Sequence, residues 1–349
     1  MFSKAPTIVS SASPSLTALL VMIGFRIALE NGHGHLFDAD ELPLVIHLIN
    51  TAIAAEPRFV SWKSFMNLSY AEQQAFFNRN ITTGFDAHKA ARKLMIKNKI
   101  ESAIENKKIE QLVFLSGGYD HRSYMLAKKY PHIQIFELDR GETRKIKING
   151  LKTIPSATET VKEEAGHFCI NQNLHLVECD FLSHDLRTQL KSFGYDPAKR
   201  TLFIAEGLTM YLTQENNQEL LDRLFDLLHE GEEVLLSYRL SKVLATPLAA
   251  QLHASSNEPY LFALSPSGVP AFANAKGFAV SGKMLCADLL DWVHCHQDEP
   301  KGDSYYLLQR SAAVREQKRQ TEMDIDRIAL ISDKSLPGPD TRSNYRKIA

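Results

Sequence analysis

The chain has 349 residues, 44% hydrophobic and 23% charged, an ordinary globular composition with room for one large α/β domain or a medium domain carrying additions. Its 40 Lys+Arg against 41 Asp+Glu leave a net charge of −1, which counts against nucleic acid as a partner, because phosphate neutralisation supplies most of that affinity. The four cysteines, Cys169, Cys179, Cys286 and Cys295, show neither C-x-x-C nor zinc-like spacing, so reduced thiols and no metal site are expected.

Residues 1–15 are Ser/Pro-rich and read as an irregular N-terminus without a signal-peptide pattern. The apolar stretch Leu16 to Phe25 is too short to span a membrane. A cytoplasmic enzyme is the expectation. Helices are predicted over Leu16–Glu30, Ala39–Ala54 and Ala87–Glu105, making residues 16–108 a mainly helical leader. From Gln111 the pattern changes to short apolar runs alternating with helical stretches. Strands are predicted at Gln111–Ser116, Ile133–Asp139, His175–Asp180, Thr201–Glu206, Val234–Tyr238, Phe278–Leu285 and Tyr305–Arg310, with an amphipathic helix over Asn217–Leu228. Such alternation predicts a doubly wound α/β sheet over residues 109–312, covered on both faces. Residues 150–173 and 241–276 are long for connections, and the second is placed like a substrate lid. Residues 313–349 form a polar tail.

In an open α/β sheet, ligands bind beyond the carboxyl ends of the strands. The first predicted strand ends in Ser116-Gly117-Gly118-Tyr119-Asp120, where two glycines allow close backbone approach. The second ends in Glu137-Leu138-Asp139, with an acid suited to ribose hydroxyls. The third ends in Cys179-Asp180-Phe181, a carboxylate for an adenine amino group and an aromatic for its slot, and the fourth ends in Glu206. Each has a structural alternative: a Gly-Gly turn, an Asp N-cap, a satisfied carboxylate. Four such residues at successive strand ends fall on one rim, and that coincidence carries the reading.

NAD and S-adenosylmethionine (SAM) share this adenosine geometry. The dinucleotide fingerprint needs a third glycine for helix–strand packing, and His121 stands there. Asp120 would repel a pyrophosphate, whereas SAM carries no phosphate and is cationic at sulfur. The chemistry favours SAM.

These residues resemble the leucine carboxyl methyltransferase-like SAM-dependent O-methyltransferases. Ala91-Arg92-Lys93, the block QLVFLSGGYD (111–120) with Arg122, and FELD (136–139) are similar to that family's Arg, LGAGxDTR and FEVD blocks. The segment FGYDPAKRTLFIAEGLTMYL (193–212) is the most specific match. The resemblance implies a seven-stranded Rossmann-like sheet with its last strand antiparallel and an N-terminal helical addition. It also implies roles: Arg92 pairing the SAM carboxylate, Gly118 beneath its amino-acid portion, Asp139 on the ribose, Asp180 and Phe181 on the adenine, and Glu206 facing the methionine amino group. Tyr211 is a candidate wall of the acceptor pocket. Two departures stand out. Ser116 replaces the first loop glycine, and His121 replaces a Thr, bringing an imidazole that is either a general base or a helix N-terminal residue.

The acceptor expected is a carboxylate or hydroxyl on a small molecule or a protein C-terminus. The rivals are a tRNA-modifying methyltransferase, a non-catalytic nucleoside-binding protein and, disfavoured by the missing glycine, an NAD oxidoreductase.

Overall fold

The computed structural model describes residues 13–154, 162–164, 167–180, 183–239, 251, 258–292, 303–317 and 320. Phe181, the start of the N-terminal segment, residues 241–250 and 252–257 of the expected lid, and most of the tail lie outside the described residues.

Among the described residues nine strands form one sheet: β1 Gln111–Leu115, β2 Gln134–Asp139, β3 Lys162–Glu164, β4 His167–Ile170, β5 Leu174–Glu178, β6 Thr201–Ala205, β7 Glu233–Arg239, β8 Phe278–Met284 and β9 Asp303–Arg310. Their order is β3-β4-β5-β2-β1-β6-β7-β9-β8. All seven predicted strands are present. β5, β2, β1, β6 and β7 pair in parallel, and β9 inserts antiparallel between β7 and β8. The two additional strands, β3 and β4, come from the long 150–173 connection and extend the β5 edge antiparallel. They escape sequence reading because each is short and gains its strand character from the edge it joins rather than from its own pattern.

Every residue of β1 and β6 is buried, as strands covered on both faces must be. Alternate side chains enter two cores. Leu112 and Phe114 join Ile135, Leu202 and Ile204 on one face, whereas Val113 and Leu115 join Phe136, Phe203 and Ala205 on the other. The first face is covered by α2 (Glu41–Ala55), α5 (Phe85–Lys107), α6 (Arg122–Lys129) and α7 (Gly141–Lys152); the second by α8 (Leu186–Ser192) and α9 (Gln214–Leu227). A third cluster gathers α1 (Leu16–Ala28), α3 (Val60–Met66) and α4 (Tyr70–Asn80) around Phe25, Trp62 and Phe77, and includes Tyr119 and Ile146 of the sheet region.

Sequence patterning overlooked α3 and α4. α4 nevertheless carries a local signal, a capping box in which Ser69 accepts from the Glu72 amide and the Glu72 carboxylate accepts from the Ser69 amide. α5 starts after Gly84, at φ +66°, and runs for 23 residues across the sheet. It is thus the leader helix that reaches the strand ends.

Candidate functional site

Parallel register puts Leu115 opposite Leu138 and Phe114 opposite Ile204, so the chain leaves β1, β2 and β6 at one rim. A cavity of about 280 Å³ opens there. The loop after β1 climbs over β2. The amides of Ser116 and Gly117 both donate to the Leu138 carbonyl, at 2.8 and 3.2 Å, and the Gly118 amide donates to Asp139 Oδ2. Asp139 Oδ1 accepts from the Arg140 amide at 2.7 Å. Burial raises the Asp139 carboxyl above its ordinary range, against the pull of those two amides.

The glycines are required here for different reasons. A Cβ on Gly117 would fall within the Glu137 carboxylate, which Lys147 Nζ grips through both oxygens at 2.6 Å and which also accepts from Ser123. Gly118 takes φ +56° and leaves just enough space for Ala18 of α1. Ser116 sits at φ +66°, in the left-handed region that glycine enters without a side-chain clash.

Beneath the cavity lies a buried ion network. Glu206 follows β6 and pairs with Arg92 Nε at 2.6 Å, with Lys93 Nζ at 3.3 Å and with Arg122. Asp120 pairs with Lys93 and receives Arg122 Nε at 2.9 Å. Burial alone would push the Glu206 carboxyl up; Arg122, Arg92 and Lys93 together outweigh it and hold the group down at about 2. Asp120 is likewise held well below its ordinary value, because Arg122 and Lys93 outweigh its burial. The Arg122 Nη1 atom is buried with no hydrogen-bond partner among the described residues.

The other half of the cavity is walled by the ends of β7 and β9 and by residues 258–264. Arg239 faces Asp303 at 3.5 Å and stacks over the Tyr260 ring at 4.4 Å. Tyr211 and Tyr260 lie 5.6 Å apart, centroid to centroid. Backbone bonds from Leu261 to the Met210 carbonyl (2.7 Å) and from Leu264 to the Arg239 carbonyl (2.8 Å) hold this segment over the site. Glu258 accepts from both the amide and hydroxyl of Thr17, at 3.1 and 2.9 Å, tying it to the first turn of α1.

Arg92, Ser116, Gly117, Gly118, Asp120, Glu137, Asp139, Asp180, Glu206 and Tyr211 all line this one cavity. Two of the expectations are modified by geometry. The Glu137 carboxylate is committed to Lys147 and Ser123 beneath the loop. His121 does not line the cavity: fully buried, it stacks on Phe25 and places Nε2 2.7 Å from Glu41 Oε2. The physical reason is its position immediately before α6, which turns the ring toward the leader helices rather than the rim. Sequence reasoning missed Lys89, Lys93, Arg122, Arg239 and Asp303 as lining groups. A signal existed for the lysines. His88, Lys89, Arg92 and Lys93 fall on one helical face by their spacing, all less than 9% exposed. Asp303 and Arg239 gave none, because only the insertion of β9 beside β7 brings them together.

The donor set fits SAM. Acids stand at the β2 and β5 ends, where nucleoside hydroxyl and amino groups need acceptors; cations stand on α5, where a carboxylate needs donors; and Gly117 leaves the approach clear. A Rossmann-like sheet with these strand ends defines the SAM-dependent methyltransferase class. The chain belongs to the leucine carboxyl methyltransferase family, whose model matches residues 43–225. A candidate SAM-dependent methyltransferase of Mycobacterium tuberculosis is 34% identical over 114 residues, 33% of this chain and 29% of the relative. One from Bacillus subtilis is 29% identical over 136 residues, 37% of this chain and 38% of the relative. The chain thus spans about a third of the length of these relatives. Among solved structures, a candidate methyltransferase from Thermobifida fusca is 13% identical with a TM-score of 0.45, covering 70% of this chain and 90% of that one. Human N-acetylserotonin methyltransferase in complex with SAM is 13% identical with a TM-score of 0.39, covering 68% and 59%. Likenesses this distant carry nothing to the site. No described helix is long and apolar enough to cross a membrane.

Proposed function

We propose that this protein transfers the methyl group of SAM to an oxygen of a small organic acid. The observation that carries the reading is the polarity of the rim cavity, with carboxylates at the nucleoside end and a cluster of cations on α5 at the other. In this reading Asp139 holds the ribose, and Asp180 takes the adenine amino group. Arg92 and Lys93 face the methionine carboxylate, and Glu206 balances them while offering an acceptor to the methionine amino group. SAM supplies an electrophilic methyl on a positively charged sulfur, so transfer leaves the electrons of the broken carbon–sulfur bond on sulfur.

A carboxylate acceptor is already ionised and needs no base. His121 faces away from the cavity, and the His88 imidazole that lines it is held well below its ordinary value by burial and then by Lys89, Arg92 and Arg239, which makes it a poor base. The protein's contribution is then alignment of oxygen and methyl, together with exclusion of water by residues 258–264 and α1. Tyr211 contributes wall rather than a proton: burial raises its phenol well above its ordinary value.

Incubation with methyl-tritiated SAM and a panel of carboxylic acids tests this reading. A carboxyl methyl ester releases volatile methanol on mild base treatment, whereas a methyl ether does not. Base-labile label is the expected result. Base-stable label would move the acceptor to a hydroxyl, and label on added tRNA would favour the nucleic-acid rival.

A further inference from the structure

Lys89 is buried, 8% exposed, and lines the cavity. Its neighbours are matched: Arg92 with Glu206, Lys93 with Asp120, Arg122 with both acids, and Arg239 with Asp303. Lys89 alone of this group has no carboxylate oxygen within 4.0 Å among the described residues, and its ammonium lies over the Phe85 ring, 4.5 Å from Nζ to the centroid. Beside it, His88 carries a buried Nε2 with no hydrogen-bond partner among the described residues. Lys89 thus lines the cavity as a cation without a carboxylate partner among the described residues, beside the buried and unpaired His88 Nε2, and a ligand anion reaching it supplies the charge partner the protein does not.

We propose that Lys89, with His88 beside it, is the recognition point for the carboxylate of the methyl acceptor, and that it does not serve the carboxylate of SAM. The inference rests on the methyl-transfer reading above and adds the residue that selects the acceptor. Charge supports it. Lys89, Arg92, Lys93, Arg122 and Arg239 stand against Asp120, Glu206, Glu258 and Asp303, five cations against four anions. The surrounding wall of Met22, Ile81, Phe85, Met210, Tyr211 and Tyr260 suits an acid with an apolar or aromatic body.

Burial first, and then Arg92, push the Lys89 ammonium down to about 7; Arg239 adds to that, while Asp303 and Glu206 oppose it. His88 is held neutral, far below its ordinary value, by burial and by Lys89, Arg92 and Arg239 against Glu206. A carboxylate arriving beside Lys89 favours its ammonium form, so binding draws in a proton. Methylation removes the acceptor's negative charge: one acceptor oxygen gains the methyl as the carbon–sulfur bond breaks, and the neutral ester no longer pairs with Lys89. The same contact therefore favours substrate over product.

The test is calorimetric, on full-length protein saturated with S-adenosylhomocysteine at neutral pH, in two buffers of different ionisation heat. The probes are hexanoate, octanoate, benzoate and phenylacetate, each beside its primary amide. The acids should bind about 10-fold or more tighter than the amides, with uptake of a fraction of a proton. Lys89→Met should abolish the preference and the proton uptake while leaving SAM affinity within about twofold. Lys89→Arg should restore the preference without the uptake, and Lys89→Gln serves if the Met variant does not fold. Loss of SAM binding in Lys89→Met would assign the residue to the cofactor and overturn the proposal. Acids and amides behaving alike, or an acid preference that survives in the Met and Gln variants, would also overturn it. Failure of the unmodified protein to bind S-adenosylhomocysteine would instead remove the methyl-transfer reading itself.

Discussion

Ser116 shows how one side chain sets the cost of a ligand loop. At φ +66° it occupies a conformation that costs an L-residue about 1–2 kcal/mol, while glycine's extra freedom in the unfolded chain offsets roughly 0.5–1 kcal/mol. The first term is larger, so Ser116→Gly should stabilise the protein by about 0.5–1 kcal/mol, seen as a higher denaturant midpoint at unchanged slope. One residue on, the sign reverses at Gly117. Its Cβ would displace a Glu137 carboxylate clamped by Lys147, so Gly117→Ala should cost about 1–3 kcal/mol and also impair SAM binding. Asp139→Ala removes the acceptor for the Gly118 amide together with the proposed ribose contact. SAM should then bind roughly 10- to 100-fold more weakly, whereas unchanged affinity would mean the ribose lies elsewhere. At this scale the strand-terminal residues Asp139, Asp180 and Glu206 and the loop glycines Gly117 and Gly118 were legible in the sequence, and all of them line the rim cavity. The sequence left His121 open between a general base and a helix N-terminal residue, because nothing in a linear string says which side of a helix start a ring will face; the ring stacks on Phe25 just before α6.

At the scale of elements, α5 and the strand rim are locked together by charge. Removing one member of a buried network leaves its partners uncompensated. Arg122→Ala strands both Asp120 and Glu206 and should cost about 3–5 kcal/mol of stability, measurable by urea denaturation. The network also sets acid sensitivity. Glu206 titrates near 2 in the folded protein against an ordinary value of 4.5, so the unfolded chain takes up the proton first. The stability it contributes is complete above 4.5 and is lost as pH falls toward 2. Glu137 and Asp139, whose carboxyls burial raises, act in the opposite direction. The diagnostic is therefore a difference: Glu206→Gln should be less stable than the natural protein at neutral pH and show a flatter loss on acidification. Equal slopes would remove the network from the account. The seven main strands were legible because their apolar runs are long enough to declare themselves, as Thr201–Ala205 does. β3 and β4 were not, being short strands made by an edge. Arg239 remained hidden because a late antiparallel strand reaches it only in three dimensions, whereas the helical spacing that puts Lys89 beside Arg92 and Lys93 was legible.

At the scale of the whole molecule, the leader helices and the sheet share one site. α1 closes over the Gly118 loop through Ala18 and is tied to Glu258 through Thr17; α5 brings the cations; strands far apart in sequence bring the acids. The resulting cavity has carboxylates beyond the β2 and β5 ends and cations on α5, which the proposed reading gives to the nucleoside and the amino-acid portion of SAM and which a dinucleotide pyrophosphate does not match. Calorimetric titration of the purified protein with SAM, S-adenosylhomocysteine and NAD tests that claim most directly. The account predicts binding of both sulfur nucleosides at micromolar concentrations, on the order of −8 kcal/mol, and no heat from NAD. Binding of NAD with silence toward SAM would contradict it.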